Sequence, residues 1–227
     1  MDALGKLEQR QIHILQRITA LELHLQAQHL SSLSIAAPAS GRADTTESRL
    51  SAILASLGAG DFVFRRVASD YYDRSLEERR DIVGAASVHH LCKSIVLVNT
   101  QAPASVVDCS DRNNSKYYVV VIQYTARLNA ESIKNFLYTL NNKMVAKKKF
   151  NMRLAPEEES LALTGFVHNA VTCIGMKTDI PVILDEAIVK LNPDYFWLGG
   201  GEVDLKLGIR TPEFIKSVKP FVVSCSS

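Results

Sequence analysis

The sequence predicts an α/β domain with a mixed sheet, running from about residue 47 to the end of the chain. Three observations carry this. The runs Ile95-Val96-Leu97-Val98 and Tyr117 to Tyr124 (YYVVVIQY) are rich in β-branched and aromatic residues and bounded by polar turns, so they read as buried strands. Helical stretches with their own start signals lie among them. Helices and strands are interspersed, but without the regular alternation that a doubly wound parallel sheet requires.

The chain has 227 residues, enough for one large domain, or one domain with an appendage. Hydrophobic content of 47% and charged content of 22% are ordinary for a globular protein. A net charge of +2 provides no global basic field, so a polyanion has to meet a local patch. The cysteines, Cys92, Cys109, Cys173 and Cys225, form no CxxC pair and no metal-finger spacing, which points to a reducing compartment. No apolar run reaches bilayer length, and the first residues lack the apolar core of a signal peptide. Cytoplasmic location, no membrane, no metal and no cofactor are the expectations.

Residues 1–30 read as a coiled-coil-like amphipathic helix. Leu4, Ile18 and Leu25 share one heptad position, with Gln11 as the exception, and Leu7, Ile14 and Leu21 share the other. Residues 31–46, rich in Ser, Ala and Thr, read as a flexible linker. A helix tethered in this way is expected to pair with another molecule: a synthetase, a scaffold or a second copy.

Within the domain, 47–227, the elements follow in order. Glu47 to Leu57 is a short helix stopped by Gly58 and Gly60, and Asp61 to Val67 alternates as a strand. Ser75 and Glu78 form a capping box, so a helix runs from Leu76 to about Val83. The two buried strands follow, separated by a polar loop from Thr100 to Lys116. Asn129 to Leu140 is a helix with Ile133, Phe136, Leu137 and Leu140 on one face. Pro156 and Glu157 to Glu159 open a helical or turn segment. Strands are expected near Ala170 to Ile174, Pro181 to Asp185, Phe196 to Leu198 and Leu205 to Ile209. Thr211-Pro212-Glu213 starts a last helix, and Phe221 to Val223 is a short final strand.

Local chemistry is sparse. No GxSxG, HExxH, P-loop or GxGxxG is present. Adjacent His89 and His90 point about 100° apart on a helix, unsuited to sharing a metal, and read as surface or loop residues. A Cys173–His168 thiol–imidazole dyad is disfavoured, since residues five apart on a strand face opposite ways. Lys93, at the mouth of an apolar strand, either snorkels to water or places a cation in a cleft. Lys143, Lys147, Lys148, Lys149 and Arg153 form the densest basic cluster, read as a solvated loop or a phosphate-contacting surface. Gly199-Gly200-Gly201, taken alone, is most simply a bend.

As a set, these pieces resemble the YbaK/prolyl-tRNA-synthetase-associated family of aminoacyl-tRNA editing domains. The family has a lysine before a buried strand, here Lys93 in CKSIVLV. It has a glycine-rich segment, here Asn169-Ala170-Val171-Thr172-Cys173-Ile174-Gly175, then a proline and an apolar strand ending in Asp, here Pro181 to Asp185. A glycine pair closes a later strand, here Gly200-Gly201. Asn169 stands where the family often has glycine, and Cys173 where it usually has proline. The resemblance spans roughly residues 61–225.

It implies a curved, barrel-like sheet with surrounding helices, and a trans-editing deacylase acting on mischarged tRNA, first of all tRNA-Pro carrying Ala or Cys. Lys93 would be catalytic. The substrate would meet His168, Asn169, Ala170, Val171, Thr172, Gly175, Gly199, Gly200 and Gly201, and the tRNA would meet the basic cluster. Attack by a positioned water, helped by a ribose hydroxyl and by backbone N–H groups around Ala170 to Thr172 and at Gly199 to Gly201 that stabilise the developing oxyanion, follows from the same resemblance. The alternatives are a non-catalytic, tRNA-binding or adaptor subunit of a synthetase assembly docked through the first helix, and a thiol hydrolase using Cys173.

Overall fold

Two sheets, rather than one, organise the computed structural model, which describes residues 45–226. The expected coiled-coil helix and most of the linker lie outside those residues. The helices are α1 (Thr46–Ser56), α2 (Leu76–Val83), α3 (Ala130–Leu140), α4 (Glu157–Thr164), α5 (Glu186–Val189) and α6 (Thr211–Val218). The strands are β1 (Phe62–Arg66), β2 (Cys92–Asn99), β3 (Tyr117–Gln123), β4 (Met152–Leu154), β5 (Val182–Asp185), β6 (Tyr195–Gly199), β7 (Leu205–Arg210) and β8 (Phe221–Val223).

One sheet has the order β1-β7-β6 and is antiparallel throughout. The other has the order β4-β2-β3-β5-β8, with β4, β2 and β3 antiparallel and β3, β5 and β8 parallel. The sheet is therefore mixed, as the sequence predicts. The barrel-like closure is corrected: a bridge between Leu91 and Trp197 joins the sheets at one point, and no ring of strands closes.

The unbroken apolar run in β3 has a direct cause, since both of its faces are covered. Val119 and Val121 face a core shared with Leu50 and Leu54 of α1, Phe196 and Leu198 of β6, and Phe214 of α6. Tyr118, Val120 and Ile122 face a second core with Ile133 and Leu137 of α3. Burying a side chain such as Ile133 or Leu137 contributes about 1.5–3 kcal/mol. That burial is what converts the period-3.6 pattern of α3 into a docked helix.

Local signals account for the helix starts. Ser75 Oγ accepts from Glu78 N at 3.2 Å, and Glu78 Oε2 accepts from Ser75 N at 2.9 Å, closing the capping box. Asn129 Oδ1 accepts from Ser132 N at 3.1 Å at the head of α3.

Three further expectations need correction. Ala170 to Ile174 is not a strand; it belongs to an irregular segment between α4 and β5. Asn169 (φ 64°) and Gly175 (φ 66°) both take left-handed backbone there, which interrupts any extended ladder. Lys93 lies inside β2, paired with Ile122, not ahead of the strand. His90 is buried rather than at the surface, with Nδ1 2.8 Å from Ser87 Oγ and Nε2 3.2 Å from Pro193 O. β4 and the short α5 are elements that sequence patterning did not anticipate.

Candidate active site

A cleft of about 340 Å³ opens beside Lys93. Its apolar wall is Ile95 and Val96 of β2, Leu154 of β4, and Phe166. Its polar wall includes Tyr72, Ser94, Tyr124, Glu157, Ser160, His168 and Asn169, and Ala155, Val171 and Gly199 complete the described lining. Of the residues singled out from sequence, Lys93, His168, Asn169, Val171 and Gly199 come together here.

Ala170, Thr172, Gly175, Gly200 and Gly201 do not line it. Ala170 and Thr172 are fully buried, and the Thr172 hydroxyl has no hydrogen-bond partner among the described residues. Gly175 lines a different cavity and packs against α1, where an added Cβ would sit 2.7 Å from Leu50 Cδ2.

Gly199 has another reason to be glycine. A Cβ there would lie 2.4 Å from the carbonyl oxygen of Val171. The end of β6 and the 167–171 turn therefore approach backbone to backbone, closer than any side chain permits. Gly201 N donates to Ala170 O at 3.1 Å and ties the two segments together.

That tie, with its neighbours, revises the roles the resemblance implies for backbone N–H groups. Ala170 N donates to Val167 O, Gly200 N to Leu205 O, and Gly201 N to Ala170 O, so all three are committed within the fold. The N–H groups of Val171 and Thr172 have no protein acceptor among the described residues. Of these two residues, Val171 lines the cleft.

Electrostatics come from three cations set against three tyrosines. Lys93 Nζ lies 5.7 Å from the centre of the Tyr124 ring, and Arg79 packs over Tyr71, Tyr72 and Tyr124. Lys206 is buried in β7, 4.8 Å and 4.3 Å from the rings of Tyr71 and Tyr72. Burial pushes the Lys206 ammonium down to about 8, with Asp204 opposing and Arg79 reinforcing that shift. Burial likewise pushes the Tyr71 phenol up to about 12 and raises Tyr72 and Tyr124, so all three stay neutral hydrogen-bonding groups near neutral pH.

The thiol alternative loses its geometry. Cys173 is buried, lines the other cavity, and sits 3.8 Å from Ser94 Oγ, while His168 is exposed at the cleft. Burial pushes the Cys173 thiol up to about 12, leaving almost no thiolate at neutral pH.

The basic cluster is exposed. Lys147 to Lys149 form a single turn between α3 and β4, and Lys147 Nζ pairs with Glu131 at 3.1 Å. Arg153 sits in β4 next to Leu154, so the cluster runs up to the cleft's edge along that strand. Asp185, at the end of β5, is a structural acid. It accepts from the amide of Cys225 at 3.1 Å and from the Ser226 hydroxyl, holding the C-terminal segment.

Sequence reasoning missed Tyr72, Tyr124, Lys206 and Glu157. The first three carry no motif. Glu157 was visible only as the start of a helix.

The sequence profile of the aminoacyl-tRNA editing domain matches residues 77–217, more than half of the chain. No curated protein matches it in sequence. Among solved structures, it is similar to a candidate trans-editing enzyme for prolyl-tRNA synthetase, with a TM-score of 0.62 and 20% identity over 82% of this chain and 99% of that one. It is also similar to the hypothetical protein APE2540, at 0.59 and 18% over 79% and 99%. A structure from a computational epitope-grafting design on scaffold proteins aligns at 0.61 and 17% over 82% and 99%. At these identities the structural likeness establishes the fold.

Proposed function

The chain belongs to the aminoacyl-tRNA editing domain family, and from that premise we propose that it is a deacylase. It hydrolyses the ester between a wrong amino acid and the terminal ribose of a tRNA, acting in trans. The first substrates to consider are Ala-tRNA-Pro and Cys-tRNA-Pro.

One observation carries this reading. Lys93 from β2, the Val171 turn and the Gly199 end of β6 meet in one cleft, and the Val171 N–H has no acceptor among the described residues. A water attacks the ester carbonyl and a C–O bond forms. The carbonyl oxygen gains charge, which the Val171 N–H and the Lys93 ammonium stabilise. The bond to the ribose oxygen then breaks, that oxygen takes the proton shed by the water, and free amino acid and uncharged tRNA leave. Positioning supplies much of the help, because an activated ester needs no strong protein base.

The same cleft offers a place for each charge of the substrate. Glu157 is the only carboxylate among the described residues that line the cleft, and we assign it to the α-ammonium of the aminoacyl group. The apolar wall of Ile95, Val96, Leu154 and Phe166 takes a small side chain. Lys143, Lys147, Lys148, Lys149 and Arg153 contact tRNA phosphates, a salt-sensitive attraction.

The test is deacylation of a panel of mischarged tRNAs, beginning with the two named, by wild type and Lys93→Ala. Hydrolysis by the wild type and its loss in the variant are expected. A wild type that clears none of the panel sinks the reading.

A further inference from the structure

Lys206 is an unusual residue to bury in a sheet. Its ammonium is expensive to desolvate and makes no ion pair among the described residues. It instead donates to Tyr72 Oη at 2.8 Å and to Val203 O at 2.8 Å, with the rings of Tyr71 and Tyr72 packed against it. Val203 is held in turn: Arg66 pairs with Glu202 and Asp204 on either side of it, each at 2.8 Å. Arg66 thus brackets the lysine's carbonyl acceptor from both sides.

Tyr72 then passes the constraint on. With its oxygen accepting from Lys206, its O–H donates to the carbonyl of Asn169 at 2.7 Å. Arg79 donates to the Tyr72 carbonyl and packs on its ring, so the phenol is held from its backbone as well. Asn169 is the residue in left-handed backbone, a conformation that costs about 1 kcal/mol or more for a residue other than glycine and must be held by its surroundings. Two residues further on is Val171, whose N–H has no acceptor among the described residues and which lines the cleft.

We infer that Lys206 and Tyr72 are positioning residues: the ammonium orients the phenol, and the phenol pins the Asn169 carbonyl, holding the 167–171 turn so that the Val171 N–H is presented to the cleft. Neither acts by touching the reacting atoms. The kinetic part of this inference rests on the deacylase reading; the structural part does not.

The experiment has two arms on the full chain, each using Tyr72→Phe and Lys206→Met. Tyr72→Phe keeps the ring and removes only the hydroxyl, so it remains informative where Lys206→Met fails to fold. In the first arm, amide hydrogen exchange is followed in 167–172, read at the Ala170 N–H that is bonded to Val167 O, and across α3. Exchange in 167–172 is expected to rise about tenfold in Tyr72→Phe, with α3 unchanged, as for a local opening. Unchanged exchange in 167–172 overturns the inference. In the second arm, kcat on a hydrolysed aminoacyl-tRNA is expected to fall about tenfold or more while KM stays within about twofold, the pattern of a lost transition-state contact. An unchanged kcat, or a change confined to KM, overturns it. A wild type that hydrolyses nothing, together with faster exchange in 167–172 of Tyr72→Phe, removes the deacylase reading and leaves the pinned turn supported.

Discussion

The cleft beside Lys93 and the cavity beyond Cys173 are built on the same irregular segment, yet they are made differently. The first, about 340 Å³, gathers a Val171 N–H with no acceptor among the described residues, a carboxylate at Glu157 and a lysine stacked on Tyr124. The second, about 320 Å³, is lined by Ile53 of α1, by Leu57 just after it, by Cys109 and Cys173, and by the chain around Gly175. Burial raises both thiols, so they behave as small apolar groups. The glycines show the contrast most clearly. Gly199 clears space for another backbone, whereas Gly175 clears space for the side chains of a helix. The resemblance alone treats the two as equivalent substrate contacts. Their neighbours assign the first to the cleft and the second to packing.

The largest expected effect separates the two regions outright. Lys93→Ala should lower kcat/KM for deacylation on the order of 10²–10³-fold, as loss of an electrostatic stabiliser does, while thermal unfolding stays close to wild type. Gly199→Ala comes next. Its Cβ would press on the Val171 carbonyl, so the turn has to move, costing about 1–3 kcal/mol and most of the activity; calorimetry and a deacylation assay on the folded fraction check both. Gly175→Ala should cost a similar 1–3 kcal/mol through strained backbone and contact with Leu50, yet leave activity per folded molecule intact. Loss of activity in that variant would erase the distinction between the two glycines.

Smaller effects sharpen the same line. Glu157→Gln should raise KM about three- to tenfold for an aminoacyl-tRNA, a loss of about one charge-assisted hydrogen bond, and leave an N-acetylated aminoacyl-tRNA unaffected. Equal effects on both substrates would remove the carboxylate from ammonium recognition. Alanine at Lys147, Lys148 and Lys149 together should weaken binding a few-fold and reduce its salt dependence, roughly in proportion to the phosphates contacted. Cys173→Ala should change kcat by less than about twofold, since a buried neutral thiol contributes no nucleophile.

Much of this was legible before any coordinates. The capping box at Ser75 and Glu78, the Asn129 cap, the buried strands at 95–98 and 117–123, and the α6 start at Thr211-Pro212 all depend on residues within a few positions of one another. Short-range sterics and hydrogen bonding decide such features, so the local sequence contains them. The segment at 170–174 misled for the same reason. Ala-Val-Thr-Cys-Ile has strand-like side chains, but Asn169 and Gly175 in left-handed backbone, with Ala170 O tied to Gly201 N, hold it as a turn.

What the sequence determined by itself was the inventory: a mixed α/β domain, a lysine next to an apolar strand run, and glycines that let backbones meet. What only the tertiary structure decided was which of these share a space. Tyr72 reaches Asn169 across 97 positions, and Lys206 reaches Tyr72 across 134. A contact at that separation exists only after two sheets have packed and excluded water. No local pattern records that the phenol at 72 and the ammonium at 206 will be desolvated against each other, and it is this desolvation that makes their hydrogen bonds strong enough to hold the turn.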